Sequence, residues 1–432
     1  MTDENKNNED ESLDQDLDQD ETKENKVEED DQEDSDSEKE IDEEKEDEKE
    51  SKTDKKEDKK SGKKAKTPLK ERIRAFFKNP KKRLIFIISA IVLLLAIFAL
   101  GFFLLLNDKK DNPTPAEEQA AAVVPEAPKF EAVLDGVMTD QASATKHPLA
   151  VMVENHPDAR PQAGLEQASI VYEAIAEGGI TRFLALFGTK EAEKVGPVRS
   201  ARTYYVDWAH GYNAYLAHVG GNIDALDKIA KEKTLDLDQF RYSAPYWREK
   251  SGNVASEHTM FTSTTKLRTQ AATNKYETAN TFSLYRFKDD PTEEVKATLP
   301  EAQNVTVDFS SSEYKVKFAY DRTTNSYKRF LAGTPHLDRV TKNQLNPKDI
   351  VVMTVKRTST VTRINEAGYN MTTVGTGPAK IFHDGQTITG TWKKEKAESR
   401  EIFYDDKGQE IIFNRGQLWI CAIPPEATVS VN

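Results

Sequence analysis

The stretch IVYEAIAEGGITRFLALF, residues 170–187, decides the predicted fold. It consists of two strand-like runs, residues 170–177 and 180–187, which a Gly-Gly pair separates. A two-residue glycine connection favours an antiparallel hairpin. In the simplest register Ile175 faces Arg182, so that Glu173 and Glu177 share one face of the hairpin with Arg182. We expect one of two arrangements. Either Arg182 forms a cross-strand ion pair that determines the register, or the two carboxylates differ in pKa because one is paired and one is free.

The residues around this hairpin predict an α+β fold. Further strand-like runs lie at 148–154 and 214–218, and helical patterns lie at 200–210, 223–233 and 264–273. Beyond residue 305, alternating runs separated by Gly and Asp turns predict strands almost exclusively. We therefore predict a mixed sheet with helices in an N-terminal module, 141–290, and a β-rich C-terminal module, 300–428.

Charge is distributed unevenly along the 432 residues, whose formal net charge is −13. Acidic residues dominate residues 1–66, which lack the apolar side chains needed for a core, and we predict a disordered acidic tail there. A basic segment, 67–83, follows it and adjoins an apolar run instead of a folded basic face, which argues against nucleic acid as a partner. The single cysteine, Cys421, excludes an intramolecular disulfide, and its apolar neighbours predict a buried thiol.

The apolar run LIFIISAIVLLLAIFALGFFLLL, residues 84–106, contains no charged residue. As a helix it would be about 34 Å long, enough to cross a bilayer. Basic residues are concentrated before it, which predicts a cytoplasmic N-terminus. We therefore expect a single-pass type II protein of the cell membrane, whose membrane contact is this helix. The proline-containing segment 107–140 would be an extracellular linker to the extracytoplasmic domains.

Two arginines in GPVRSAR, residues 196–202, are the next candidates for function. We predict that this motif begins a helix, with Arg199 and Arg202 as neighbours on one face of its first turn. Cations at that position oppose the helix dipole, so an anionic partner is expected. That partner is either a carboxylate of the same chain or a carboxylate or phosphate of a ligand.

The histidines complete the candidate site. His156, His218 and His258 could act as acids or bases, although a lone histidine is commonly structural. None has a second His or Cys at the spacing of a metal motif, so we predict neither a metal site nor a cofactor. The sequence identifies no catalytic residue. The candidate ligand-binding residues are Glu154, His156, Arg160, Glu173, Glu177, Arg182, Arg199, Arg202, His218, Arg248 and His258.

Several longer motifs resemble one known family. They are ENHPDARPQAGLEQASIVYEAIAEGGITRFLALF at 154–187, VGPVRSARTYYVDWA at 195–209, HVGG at 218–221, EHTMFTS at 257–263 and GPAKIFHDGQTITGTWKKE at 377–395. Over about residues 140–425 the chain resembles the YerB-type lipoproteins, bacterial envelope proteins mostly of Gram-positive lineages. The chain departs from that family because an apolar segment stands where the family carries an acylated cysteine. The resemblance implies a fold and an envelope location, and it implies no reaction.

Three functions are compatible with these observations. We expect a non-catalytic binding or regulatory module that contacts a wall polymer or a wall-acting envelope protein. The alternatives are an enzyme acting on an anionic cell-wall or lipid-linked substrate, and a structural tether. An enzyme would gather the charged candidates in one cleft with some members unpaired, whereas a binding module would expose an apolar or aromatic patch. A tether would do neither.

Overall fold

The computed structural model describes residues 80–107, 128–249, 252–278, 280, 282 and 284–432. Residues 80–107 belong to one compact unit of the chain, and the other described residues belong to a second. The predicted acidic tail 1–66, most of the basic segment 67–83 and residues 108–127 of the predicted linker lie outside the described residues.

The described part of the first unit is helix α1, Pro80–Asn107. It covers the apolar run 84–106, and the apolar side chains described there are exposed, Phe98 most of all at 76%. Among the residues that the structure describes, no helix is both long and apolar enough to cross a membrane. The transmembrane prediction for 84–106 therefore has no support from the structure.

The second unit contains all the described strands and five further helices. The helices are α2 Gln141–Ala144, α3 Thr203–His210, α4 Ile223–Lys231, α5 Thr264–Thr273 and α6 Glu293–Lys296. Single 3-10 turns lie at Pro157–Ala159, Leu165–Gln167, Ser256–His258 and Ser312–Tyr314. The strands of the first half are β1 Phe130–Glu131, β2 Met138–Thr139, β3 Leu149–Glu154, β4 Ile170–Glu177, β5 Ile180–Phe187, β6 Tyr215–His218, β7 Asp236–Asp238, β8 Tyr246–Arg248, β9 Met260–Thr262 and β10 Arg286–Lys288. Those of the second half are β11 Asn304–Asp308, β12 Lys315–Asp321, β13 Ser326–Leu331, β14 Thr334–Pro335, β15 Asp349–Thr354, β16 Arg357–Val361, β17 Ala367–Met371, β18 Gly375–His383, β19 Gln386–Lys394, β20 Ile402–Asp405, β21 Ile412–Asn414, β22 Leu418–Ile423 and β23 Thr428–Val431.

Ten strands form one mixed sheet in the order β20-β19-β18-β15-β22-β4-β5-β3-β6-β7. Five of its strands, β15, β18, β19, β20 and β22, come from the second half of the chain. The two halves meet where β22 pairs in parallel with β4. Five strands form a second, antiparallel sheet in the order β14-β13-β12-β11-β23. The prediction of an α+β fold with a mixed sheet is therefore confirmed. The boundaries of the two predicted modules stay a prediction, and the large sheet takes strands from both.

The large sheet is covered on both faces, because successive side chains along its strands lie in two different apolar clusters. One face packs against the five-stranded sheet and α5, through Val151, Val171, Phe183 and Trp419 on one side and Val305, Phe318 and Leu267 on the other. The opposite face packs against α3 and α4, through Met152, Tyr172, Leu184 and Ile420 on one side and Tyr204, Trp208 and Ile229 on the other. The core thus has three layers.

The hairpin β4–β5 forms at the predicted residues but with a different register. Ala174, not Ile175, lies opposite Arg182, because a bulge between Ile175 and Glu177 adds a residue to β4. Glu173 therefore lies on the opposite face of the sheet from Arg182. Glu177 follows the bulge and contacts Arg182. The predicted common face for Glu173 and Arg182 is wrong, because a bulge inverts the side-chain alternation on one side of it.

Candidate functional site

The first charged group lies at the turn end of the β4–β5 hairpin. Arg182, whose side chain is 1% exposed, donates from Nη2 to Glu177 Oε1 at 2.7 Å. Its Nη1 donates to the carbonyl oxygen of Ser200 at 2.7 Å. Arg202 donates to Oε2 of the same Glu177, so one carboxylate serves two guanidinium groups. Burial lowers the pKa of both arginines. Their contacts with Glu177 and Ser200 hold the loop before α3 against the hairpin.

The two arginines of the GPVRSAR motif are not neighbours on a helix. Arg202 is the extended N-cap residue of α3, and Arg199 lies before it, where Val198 bridges to Val153 of β3. The prediction that both occupy the first turn of a helix is therefore wrong. The helix begins at Thr203 because the preceding residues continue the main-chain pairing of the sheet. Both arginines contact a carboxylate of the same chain, Glu154 for Arg199 and Glu177 for Arg202.

The second charged group lies at the end of β3. Glu154, 3% exposed, has its Oε1 3.0 Å from Arg199 Nε and its Oε2 2.8 Å from His258 Nδ1. Because a carboxylate accepts hydrogen bonds, His258 donates from Nδ1, and the neutral ring then has its lone pair on Nε2. Glu257, half exposed, approaches both Arg199 and His258 at 3.6 Å.

His156 lies directly beside this group. Its ring stacks on that of His258, with centroids 4.6 Å apart and planes 9° from parallel. His156 also caps the 3-10 turn Pro157–Ala159, where its Nδ1 accepts from the Asp158 main-chain N–H at 3.3 Å. One ligand atom each of His156, Asp158 and His258 lies within 4.8 Å of the others, a spacing at which a metal ion could be held.

Glu173 belongs to a different environment, between the two sheets. Its Oε2 accepts from Arg329 at 2.8 Å and from the Trp419 indole at 3.1 Å, and neither Glu173 nor Arg329 is exposed. Arg329 also contacts Nδ1 of His336, whose Nε2 lies 2.7 Å from Gln162 Oε1. Burial, and then the charge of Arg329, lowers the pKa of His336 well below its usual range. Glu173 is thus part of a buried polar network.

His218 has its own set of partners. Its Nε2 lies 2.9 Å from Asp236 Oδ1, and its Nδ1 lies 2.7 Å from the Gly220 carbonyl oxygen. Asp238 accepts from the Gly220 N–H at 2.8 Å and therefore holds the glycine turn, where φ is +58°. Asn222 is the N-cap residue of α4, where its side chain accepts from the Ala225 N–H. The His218 and Gly220 region therefore has the geometry of a tight turn held by acidic side chains.

The remaining candidate residues interact mainly with main-chain carbonyls. Arg160 donates to the carbonyl oxygen of Asn155 at 3.0 Å, and its guanidinium lies 5.1 Å from the centroid of the Tyr314 ring. Arg248 is exposed and donates to the carbonyl oxygen of Ser256. Cys421 is buried as predicted, and its burial raises the pKa of the thiol well above the usual range.

The charged candidate residues do not share one set of contacts. They divide among four sets of contacts: Glu177 with Arg182 and Arg202; Glu154 with Arg199 and His258; Glu173 with Arg329; and His218 with Asp236. Within the described residues, each of Arg182, Arg199 and Arg202 has a carboxylate partner. The bulge places Glu173 on the opposite face of the sheet from Arg182, and His218 contacts Asp236 of β7.

Sequence reasoning missed a groove on the solvent face of the five-stranded sheet. The groove has a volume of about 450 Å³ and is lined by Thr306, Ser312, Lys315, Lys317, Phe330, Ala332 and Gly333. Lys317 Nζ lies 4.5 Å from the centroid of the Phe330 ring, and the two residues are opposite each other in the β12–β13 register. Lys315 pairs with Asp308 at 2.8 Å. The alternation in KVKFAYD, which puts both lysines on the polar face of one strand, could have indicated it.

Comparison with known proteins shows which family has this architecture. The family described as "Protein of unknown function (DUF3048) N-terminal domain" matches residues 134–277, and the corresponding C-terminal domain matches residues 305–420. The chain is 30% identical over 322 residues to a protein of Bacillus subtilis (strain 168) named "Putative lipoprotein YerB". That alignment covers 73% of this chain and 92% of the relative.

A solved structure agrees with the sequence match. The crystal structure of the YerB protein from Bacillus subtilis superposes with a TM-score of 0.61 and is 27% identical in sequence. The superposition covers 70% of this chain and 100% of that chain. The predicted family resemblance is confirmed, and the chain belongs to the YerB-type, or DUF3048, family.

Proposed function

We propose that the domain within residues 128–432 is a non-catalytic binding module that holds an anionic polymer of the bacterial envelope, outside the cytoplasm and close to a membrane. The location is supported by the relative's name, since lipoproteins are attached to membranes. The mode of attachment in this chain, and the orientation inferred from the charges around 84–106, are part of the proposal.

The pairing of the arginines supports a role without catalysis. An enzyme acting on an anionic substrate needs cations that are free to meet developing charge. In the part of the chain that the structure describes, Arg182, Arg199 and Arg202 all donate to or lie against carboxylates of the same chain. Ion pairs of this kind connect loops to the sheet and leave little charge for a substrate.

The groove at Lys317 is the observation that carries the proposal. Among the described residues, Lys317 has no carboxylate partner, and its ammonium group lies over Phe330 instead. Both side chains lie on the solvent face of their strands, since the neighbouring Val316 and Phe318 are buried. A free cation beside an aromatic ring offers a charge contact to a phosphate or carboxylate and an apolar contact to a polyol or sugar.

The geometry of the strand suits a polymer. Lys315 and Lys317 are two residues apart on β12, which places their Cα atoms roughly 7 Å apart along one face. Lys315 contacts Asp308, but both side chains are partly exposed, 48% and 32%, so an anion of a ligand can replace Asp308 at little cost. A chain with regularly spaced anions can then meet Lys317 and Lys315 in succession, whereas a small ion meets one. Binding should therefore depend on polymer length and should weaken as salt screens the charges.

Titration of the purified full chain with a soluble poly(glycerol phosphate) tests the proposal. We expect saturable binding that neutral dextran does not reproduce, and Lys317→Ala should weaken it about fivefold to tenfold, the loss of one exposed charge contact of about 1 kcal/mol. Lys356→Ala, which removes an exposed lysine outside the groove, should bind like the wild type. Equal affinity of the wild type and Lys317→Ala would refute the groove, and absence of binding would refute the ligand class.

A further inference from the structure

We propose that His156, Asp158 and His258 form a binding site for a divalent transition-metal ion of the zinc class. The proposal is independent of the polymer groove, because the two sites share no residue. Its basis is the distance between the three side chains, the hydrogen bond that orients one of them, and the charges around them.

His258 is already oriented as a metal ligand. Its ring is 7% exposed, and its Nδ1 donates to Glu154 Oε2 at 2.8 Å, which leaves the lone pair of Nε2 for a metal ion. A histidine that binds zinc characteristically donates its other ring N–H to a carboxylate in this way. Glu154 is itself held by Arg199, with 3.0 Å between Oε1 and Nε. The orientation of His258 is therefore determined before any ion binds.

The other two ligands come from one short turn. His156 Nδ1 lies 3.7 Å from Asp158 Oδ2, and all three ligand atoms lie within 4.8 Å of one another. Two ligands of a tetrahedral ion with bonds of about 2.1 Å are roughly 3.4 Å apart. To bind the same ion as His258, the His156 ring must turn out of its nearly parallel stack and give up the hydrogen bond from the Asp158 N–H. That movement is available because the side chains of His156 and Asp158 are 33% and 61% exposed.

The surrounding charges favour a divalent cation. Asp158, Glu154 and Glu257 carry three formal negative charges around the site, and Arg199 carries one positive charge. With neutral imidazoles the group has a formal net charge of −2, equal and opposite to that of the ion. Glu257 Oε1 lies 3.6 Å from His258 Nε2 and could supply a fourth ligand, or water could take that position.

The donor atoms select the class of ion. Two imidazole nitrogens with one carboxylate suit Zn²⁺ and neighbouring transition metals, whereas Mg²⁺ and Ca²⁺ prefer oxygen ligands. The site is partly open, since Asp158 is largely exposed. A bound ion would join the 3-10 turns Pro157–Ala159 and Ser256–His258, which are about a hundred residues apart in sequence.

Metal titration of the chelator-treated full chain tests the proposal. Isothermal calorimetry with Zn²⁺ should show one ion per chain, and Co²⁺ should give the visible absorption of a tetrahedral site. His258→Ala and Asp158→Asn should each weaken Zn²⁺ binding, His258→Ala by about 100-fold or more. Glu154→Gln, which keeps the shape but not the charge that orients His258, should weaken it by about 10–100-fold.

Two comparisons make the result decisive. His210→Gln changes a histidine that contacts Thr234 and Glu232 elsewhere in the domain, and it should bind Zn²⁺ like the wild type. Asp158 is exposed, so Asp158→Asn should fold normally even if His258→Ala does not. Binding at other than one ion per chain, or the same affinity in Asp158→Asn as in the wild type, would overturn the proposal.

Discussion

Glu173 and Arg329 form an ion pair in which neither side chain is exposed to solvent, with 2.8 Å between Glu173 Oε2 and Arg329 Nη2. Glu173 lies on β4 of the large sheet, and Arg329 lies on β13 of the small one. The guanidinium also lies 4.5 Å from the centroid of the Trp419 ring, so it has an aromatic as well as an anionic neighbour. This pair therefore connects the two sheets through the middle of the core.

Removing the charge of Glu173 should be costly. Glu173→Gln leaves the Arg329 cation buried without its counter-charge, and we expect the free energy of unfolding to fall by about 3–5 kcal/mol. Urea unfolding followed by circular dichroism measures this difference. Asp321→Asn, which breaks the exposed pair with Lys328, is the control and should cost less than about 1 kcal/mol. Similar costs for the two variants would contradict the buried-pair interpretation.

His218 should make stability depend on pH. Burial of the ring opposes protonation, but the hydrogen bond that His218 donates to Asp236 and the charges of Asp236 and Asp238 outweigh it and raise the pKa of His218 above 6.5. A raised pKa in the folded state stabilises the fold at pH below about 6.5, and this contribution is lost as pH rises through the folded pKa. The stability difference between wild type and His218→Gln should therefore be larger at pH 6 than at pH 9.

Other histidines also make the stability of the wild type depend on pH. The contribution of His218 is therefore measured as the difference in stability between the wild type and His218→Gln. Burial lowers the pKa of His383 to about 4, so that residue opposes folding as pH falls below about 6.5. His336 acts in the same direction. These contributions cancel in the difference between wild type and His218→Gln, which unfolding curves at each pH measure. A difference that does not change with pH would show that folding does not raise the pKa of His218.

Arg202 should contribute less to stability than Arg182. Both donate to Glu177, whose side chain is 36% exposed, so Arg202→Ala leaves that carboxylate paired with Arg182. We expect a loss of about 1–2 kcal/mol for Arg202→Ala, typical of one charged hydrogen bond. Arg182→Ala should cost about 3–5 kcal/mol, because it also leaves a cavity and an unpaired Ser200 carbonyl. Thermal or urea unfolding of the two variants tests the order, and a larger cost for Arg202→Ala would contradict it.

The orientation inferred from the charges around residues 84–106 is directly testable. Basic residues precede this apolar run, so residues 107–432 should lie outside the cytoplasm. Protease added to intact cells whose wall has been removed should digest the C-terminal part and spare residues 1–83, as antibodies against each end would show. Protection of the C-terminal part would contradict the orientation.

The hairpin shows how far local sequence can predict structure. Its strands, Ile170–Glu177 and Ile180–Phe187, begin and end at the predicted residues, since short apolar runs and a glycine pair between them are signals from near neighbours. The bulge before Glu177 was not predictable from them. It depends on contacts with Arg202 and with the Tyr204 hydroxyl, which donates to the Ile175 carbonyl oxygen, and both residues come from another segment.

The metal candidate could not be found from spacing along the chain. His156 and His258 stack on each other although about a hundred residues separate them, because β3 and the turn before β9 meet at one end of the large sheet. A short metal motif has its ligands within one or two turns, and this group has no such signature. The partners of Glu154 could not be predicted from the sequence either, since Arg199 and His258 come from separate loops.

The sequence alone determined the class of fold, the two strands of the hairpin, the buried Cys421 and the family, because each of these depends on local residue patterns, turn residues or contiguous motifs. Only the tertiary structure decided which charges meet. Glu177 pairs with two arginines, Glu173 with a residue 156 positions away, and His218 with Asp236. The physical reason is that a buried charge requires a partner, and any segment that the fold brings within hydrogen-bonding distance can supply it.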